Sequence, residues 1–152
     1  MNKKGLLESL KQKGFPKNIL NAFFEVKREN FMPLRLIGFA YEDNAFPIGN
    51  GQTISQPYTI AGMLSLLDLK KSQKVLEVGS GCGYVLALLS NIVGENGEVY
   101  GLEIVKDLSK KSRGNLKLTD YDNIKVYYKN GNLGLKEYAP FDRILISAAL
   151  EQ

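Results

Sequence analysis

Histidine is absent from this sequence, and Cys82 is its only cysteine. The first absence excludes histidine-based triads and zinc sites, and the second excludes an intrachain disulfide, so any chemistry proceeds without imidazole. No apolar run approaches the roughly 18 residues of a membrane span. The basic opening MNKKGLLESLKQKG lacks the apolar stretch and small-residue cleavage site of a secretory leader. A cytoplasmic protein without a membrane partner is therefore expected. A strong bias of charge is missing too: the net charge of +4 is spread over scattered lysines, which reads as a solvated surface and not as a nucleic-acid face. What is present is ordinary for one soluble domain, with 44% hydrophobic and 24% charged residues in 152.

Apolar positions at helical spacing (Leu6, Leu7, Leu10, then Ile19, Leu20, Phe23, Phe24) predict helices over 4–13 and 17–28, separated by Gly14 and Pro16. From 28 to 57 the periodicity dissolves among Pro33, Pro47 and Pro57, with a turn signal at Gly49-Asn50-Gly51. A loop of this length inside a domain tends to be functional. Helical spacing resumes after Pro57. The chain then alternates: strand 74–79, helix 84–93, strand 98–104, helix 106–118, strands 124–128 and 142–147. That pattern predicts an α/β fold with an open, mostly parallel sheet. We expect one domain over 1–152, made of a helical and loop region at 1–56 and an α/β core at 57–152.

The stretch VLEVGSGCGY at 75–84 follows the first core strand, where the ligand crevice of such a sheet lies. Gly79, Gly81 and Gly83 would let the main chain approach a ligand, with amides at the helix start aimed into the crevice. A dinucleotide fingerprint requires glycine where Tyr84 stands. Glu77, two residues ahead of the first glycine, would repel a pyrophosphate and suits a cation. S-adenosylmethionine carries both a sulfonium and an ammonium. Glu103, at the tip of the next strand, is placed to accept hydrogen bonds from ribose hydroxyls.

These motifs, together with RENFMP at 28–33, AYEDNAFPIGNGQTISQP at 40–57 and APFDRILISAA at 139–149, resemble the protein-L-isoaspartate O-methyltransferases, within the S-adenosylmethionine-dependent Rossmann-like methyltransferases. The glycine loop is a superfamily signature, whereas PIGNGQTISQP is more specific. The resemblance implies a Rossmann-like core with strand order 3-2-1-4 and S-adenosyl-L-methionine as cofactor. It implies cofactor contacts at Glu77, Gly79, Ser80, Gly81, Gly83, Glu103, Asn130 and Gly131. It places Thr53, Ile54, Ser55 and Gln56 on the substrate side, Ser55 holding the substrate carboxylate, with isoaspartyl proteins or peptides as partners. That carboxylate is ionised near neutral pH, its unperturbed pKa being roughly 4, so no general base is needed and positioning carries the catalysis. Asp43 either shapes the substrate side or caps a turn, Tyr58 either lines the acceptor pocket or packs, and Cys82 is a small filler.

The sequence departs from the family in two places. The usual acid of a GDG step is Asn130 in YKNGNLG, whose amide oxygen lacks charge assistance, at a cost of about 1 kcal/mol. Family members also continue past ISAALEQ with further strands. Strand 142–147 would then stand at an edge, apolar on both faces, inviting a second chain unless neighbouring segments cover it. The readings left open are a truncated product, a missing segment supplied from elsewhere, and self-association. Two other functions are weighed: a binding module without turnover, and a transfer RNA methyltransferase with the same glycine loop.

Overall fold

The computed structural model describes residues 1–148; the end of the stretch 139–149, and the terminal residues beyond it, lie outside the described residues. Helices α1 (Lys3–Gln12) and α2 (Lys17–Glu25) form where the apolar spacing placed them. The second stops three residues short of its expected end because Val26 is extended and the chain re-enters as a 3-10 turn at Arg28–Phe31. A second such turn spans Leu34–Phe39, and a small hairpin follows, β1 (Phe46–Gly49) with β2 (Gln52–Ile54), turning at Asn50 and Gly51. The segment read as irregular is thus built from short elements.

Helix α3 (Pro57–Leu67) opens on a proline at its first position, where the missing N–H costs nothing. The core then runs β3 (Lys74–Val78), α4 (Tyr84–Val93), β4 (Glu98–Glu103), α5 (Lys106–Leu116), β5 (Ile124–Tyr128) and β6 (Arg143–Ile146). The four core strands are parallel in the order β5-β4-β3-β6, the 3-2-1-4 order expected.

Two successive crossovers in one direction put α4 and α5 on the same sheet face, since such connections are right-handed. There they bury Val75, Val99 and Val126 in a core shared with α1, α2 and α3. Leu86, Leu88 and Leu89 are fully buried in it, each contributing about 1.5–3 kcal/mol. The opposite face is thinly covered. The β5-to-β6 connection crosses it with two 3-10 turns in place of a helix, and among the described residues Leu76, Val78, Tyr100 and Leu102 pack with Leu135, Tyr127, Tyr138 and Phe141. Among the described residues, strand β6 pairs with β3 alone. The Arg143 Nε donates to the Leu67 carbonyl of α3 at 2.7 Å, whereas Ile144 and Ile146 remain 54% and 47% exposed on the thin face. The expected apolar edge is therefore present, with α3 reaching one side of it.

Candidate active site

The glycine loop leaves the carboxyl end of β3 and folds back on β4. The N–H groups of Gly79 and Ser80 donate to the Leu102 carbonyl at 2.8 and 3.1 Å, that of Gly81 to Glu103 Oε1 at 2.8 Å, and that of Gly83 to the Ser80 carbonyl at 3.0 Å. Buried N–H groups need acceptors, and these four find theirs within the protein, three at the tip of β4 and that of Gly83 in the loop itself; the helix whose first amides were expected to face the crevice starts at Tyr84. A loop whose donors face inward is a poor cradle for phosphate and an electrostatically acceptable one for a cation.

The glycines have different neighbours. At Gly79, with φ of 84°, a side chain would overlap Ala148. At Gly83, with φ of 91°, it would press on Ser112 and Leu116 of α5, so this glycine serves helix packing. Only at Gly81 does a site element stand opposite: Ile48 Cδ1 of β1 lies 3.5 Å from where a Cβ would be. The hairpin therefore roofs the glycine loop, and two motifs about thirty positions apart meet.

Glu103 is nearly buried, and its second oxygen accepts from the Val105 N–H at 2.8 Å. A carboxylate has about four acceptor positions, so capacity remains for hydroxyl donors. Glu77 is 1% exposed. Its Oε2 accepts from the Ser147 hydroxyl at 2.6 Å, and its Oε1 has no partner among the described residues. Burial pushes its pKa up to about 8, with the Glu103 charge adding to the rise and the Ser147 bond opposing it. Ser80 Oγ beside it is likewise buried and unpartnered. Unsatisfied buried acceptors of this kind fit a ligand that brings a positive charge and donors. Cys82 is buried, its thiol pushed up to about 12 by burial, as suits a filler.

On the substrate side the expected residues separate. Thr53 is exposed on β2, whereas the Ile54 side chain is buried in the main core. Ser55 is half-buried and held through its carbonyl. Gln56 precedes α3 and accepts from the Thr59 hydroxyl at 3.5 Å. Asp43 Oδ1 accepts from the Tyr58 N–H at 2.9 Å, so it caps α3, while the Tyr58 ring packs edge-on against Phe15.

One residue escaped the sequence reading. Arg28 is completely buried, and its guanidinium donates to four main-chain carbonyls: Ala40 at 2.9, Glu42 at 3.1, Asn44 at 3.0 and Ser55 at 3.0 Å. Its rings of contact are Phe46 and Tyr84, with centroids 5.7 and 5.9 Å away. Main-chain partners leave no trace in a sequence, and Arg28 stood there only as the first residue of RENFMP.

The family model of protein-L-isoaspartate(D-aspartate) O-methyltransferase matches residues 1–152. The chain belongs to this family. It is 44% identical over 149 residues to a protein-L-isoaspartate O-methyltransferase of Methanothrix thermoacetophila, covering 98% of this chain and 70% of that one. Against the enzyme of Dictyoglomus turgidum it is 42% identical over 148 residues, covering 97% and 66%. The chain thus spans about two thirds of the length of these curated relatives. A Plasmodium falciparum family member solved in complex with S-adenosyl-L-homocysteine superposes with a TM-score of 0.85 at 32% identity, over 97% of this chain and 74% of that one.

Within this methyltransferase family frame, Asn130 and Gly131 occupy the turn after β5. The Asn130 Oδ1 caps that turn by accepting from the Asn132 N–H at 2.9 Å, so the oxygen expected to meet adenine already has one donor. Gly131 lies against Val78, leaving no room for a side chain. Among the described residues no helix is long and apolar enough to cross a membrane, and no cluster of three or more potential metal ligands occurs.

Proposed function

We propose that this chain transfers the methyl group of S-adenosyl-L-methionine to the side-chain carboxylate of L-isoaspartyl residues in damaged proteins and peptides. The observation that supports the reading is the hairpin, through Ile48, standing against a glycine loop beside which the buried acids Glu77 and Glu103 face inward. When bound, the cofactor would supply an electrophilic methyl group on a sulfonium sulfur, for which the substrate carboxylate oxygen would be the acceptor. Glu103 holds ribose hydroxyls, and Glu77 with Ser80 faces the cationic end. Thr53 and the Ser55 hydroxyl hold the substrate carboxylate in line. The nucleophile is already ionised, which is why a chain without histidine suffices. In the resulting methyl ester the adjacent main-chain amide nitrogen displaces methanol, closing a succinimide without further help from the protein.

The test is Ser55→Ala. Because orientation is the main catalytic term, labelled methyl incorporation into an isoaspartyl peptide should fall in kcat/KM by about 10- to 100-fold, with S-adenosyl-L-homocysteine affinity unchanged. Equal activity in the variant would remove Ser55 from the site. We also expect β6 to pair with a second copy of the chain, since among the described residues Ile144, Ile146 and one row of main-chain groups are open there. Sedimentation velocity should show a dimer that Ile146→Lys dissociates. A monomer throughout the concentration series contradicts this.

A further inference from the structure

We infer that Arg28 is a positioning residue for methyl transfer, a clamp that closes the base of the substrate hairpin and fixes it over the cofactor loop; this rests on the functional reading above. The geometry is particular. Asn44 and Ser55 flank the hairpin 46–54 on its two sides, and a single guanidinium nitrogen, Nη2, donates to both carbonyls at 3.0 Å. The other terminal nitrogen holds Ala40 and Glu42 in the segment leading in. The guanidinium lies near Phe46, the first hairpin residue, and Tyr84, the first residue of the helix that follows the glycine loop. One side chain therefore ties together the entry segment, the hairpin exit next to the Ser55 hydroxyl, and the cofactor side of the crevice. Asp43, inside the clamped segment, continues the connection by capping α3 at Tyr58.

Packing alone does not account for an arginine here. The guanidinium forms no salt bridge with a carboxylate among the described residues, its Nε is unsatisfied, and burial lowers its pKa. Removing a charge from water costs several kcal/mol, and an apolar residue of similar volume often serves stability better. What an apolar residue cannot do is define where four carbonyls sit. A lysine cannot replace it either, because one ammonium with three donors does not span four acceptors from two segments or stack as a plane. Ser55 is half-buried and acts at the end of this chain of contacts. A displacement of its hydroxyl by about 1 Å is enough to cost on the order of 100-fold in rate.

The experiment uses Arg28→Lys in the full chain, with the wild type beside it. Initial rates on an isoaspartyl peptide should show kcat lower by about 100-fold, while calorimetry with S-adenosyl-L-homocysteine gives the same stoichiometry and an affinity within about threefold. That split separates positioning from folding, since a merely structural loss would lower binding and turnover together. Wild-type activity in Arg28→Lys, or parallel loss of cofactor affinity and kcat, overturns the inference. Native-state hydrogen exchange on the wild type provides a second measurement that does not depend on the variant folding. Amides of 40–44 and 52–55 should open as one unit, and independent opening of the two segments would overturn the clamp. A wild type that transfers no methyl group refutes the functional reading instead, and the exchange result still decides whether the clamp exists.

Discussion

Replacing Glu103 with alanine is expected to weaken binding of S-adenosyl-L-homocysteine by at least about 100-fold and to lower thermal stability at the same time. The carboxylate has two tasks. It accepts from the Gly81 and Val105 N–H groups, both at 2.8 Å, and it is placed to accept from ribose. Hydrogen bonds to a charged group contribute about 1.5–3 kcal/mol each, so losing a pair of them exceeds the roughly 2.7 kcal/mol that corresponds to 100-fold. The alanine variant also leaves two amides without their acceptor, one of them in the glycine loop itself. Glu103→Gln keeps one oxygen but turns an amide donor toward an N–H, so an intermediate loss is expected. Calorimetry and thermal denaturation on the two variants check this. Cofactor affinity within threefold of wild type in Glu103→Ala would show that the acid only braces the loop.

Binding of the cofactor should release a proton, and Glu77 should be its source. In the ligand-free protein the buried carboxyl titrates at about 8, so it is mostly protonated at pH 7. A cation placed against the unpartnered Oε1 favours the ionised form. The sign follows from linkage. Because the folded value is raised, the contribution of Glu77 to ligand-free stability is fully present below the unfolded value of about 4.3 and is lost as pH rises through about 8. Cofactor affinity runs the other way, rising by up to about tenfold per pH unit below 8 and levelling above it. Calorimetry in buffers of different ionisation enthalpy should register close to one proton released at pH 7 and almost none at pH 9. Glu77→Gln should bind more weakly above pH 8 and lose the pH dependence. Unchanged proton release in Glu77→Gln would assign the proton to another group.

The parallel sheet and the position of the glycine loop were legible because parallel strands are short apolar runs and the loop between β3 and α4 must turn tightly, while the strand order came from the family resemblance. The segment 28–57 was not. Its two 3-10 turns carry no 3.6-residue period, and the strands of its hairpin are four and three residues long, too short for alternation to declare itself. Nothing in the sequence showed that the Ile54 side chain packs into the main core or that α5 lies beside Gly83, because both depend on contacts between distant segments. Arg28 was invisible for a deeper reason. Its partners are carbonyl oxygens, which every residue has, so nothing in the sequence marks Ala40, Glu42, Asn44 or Ser55 as its acceptors. Chemistry-bearing side chains could be read, whereas the main-chain architecture that aims them required the fold.

The most direct measurement is methyl transfer from labelled S-adenosyl-L-methionine to a short isoaspartyl peptide and to its normal aspartyl twin, with cofactor binding measured by calorimetry on the same sample. Base-labile label in the isoaspartyl peptide alone is the predicted result. Cofactor binding without transfer, or equal labelling of the two peptides, would contradict the proposed activity.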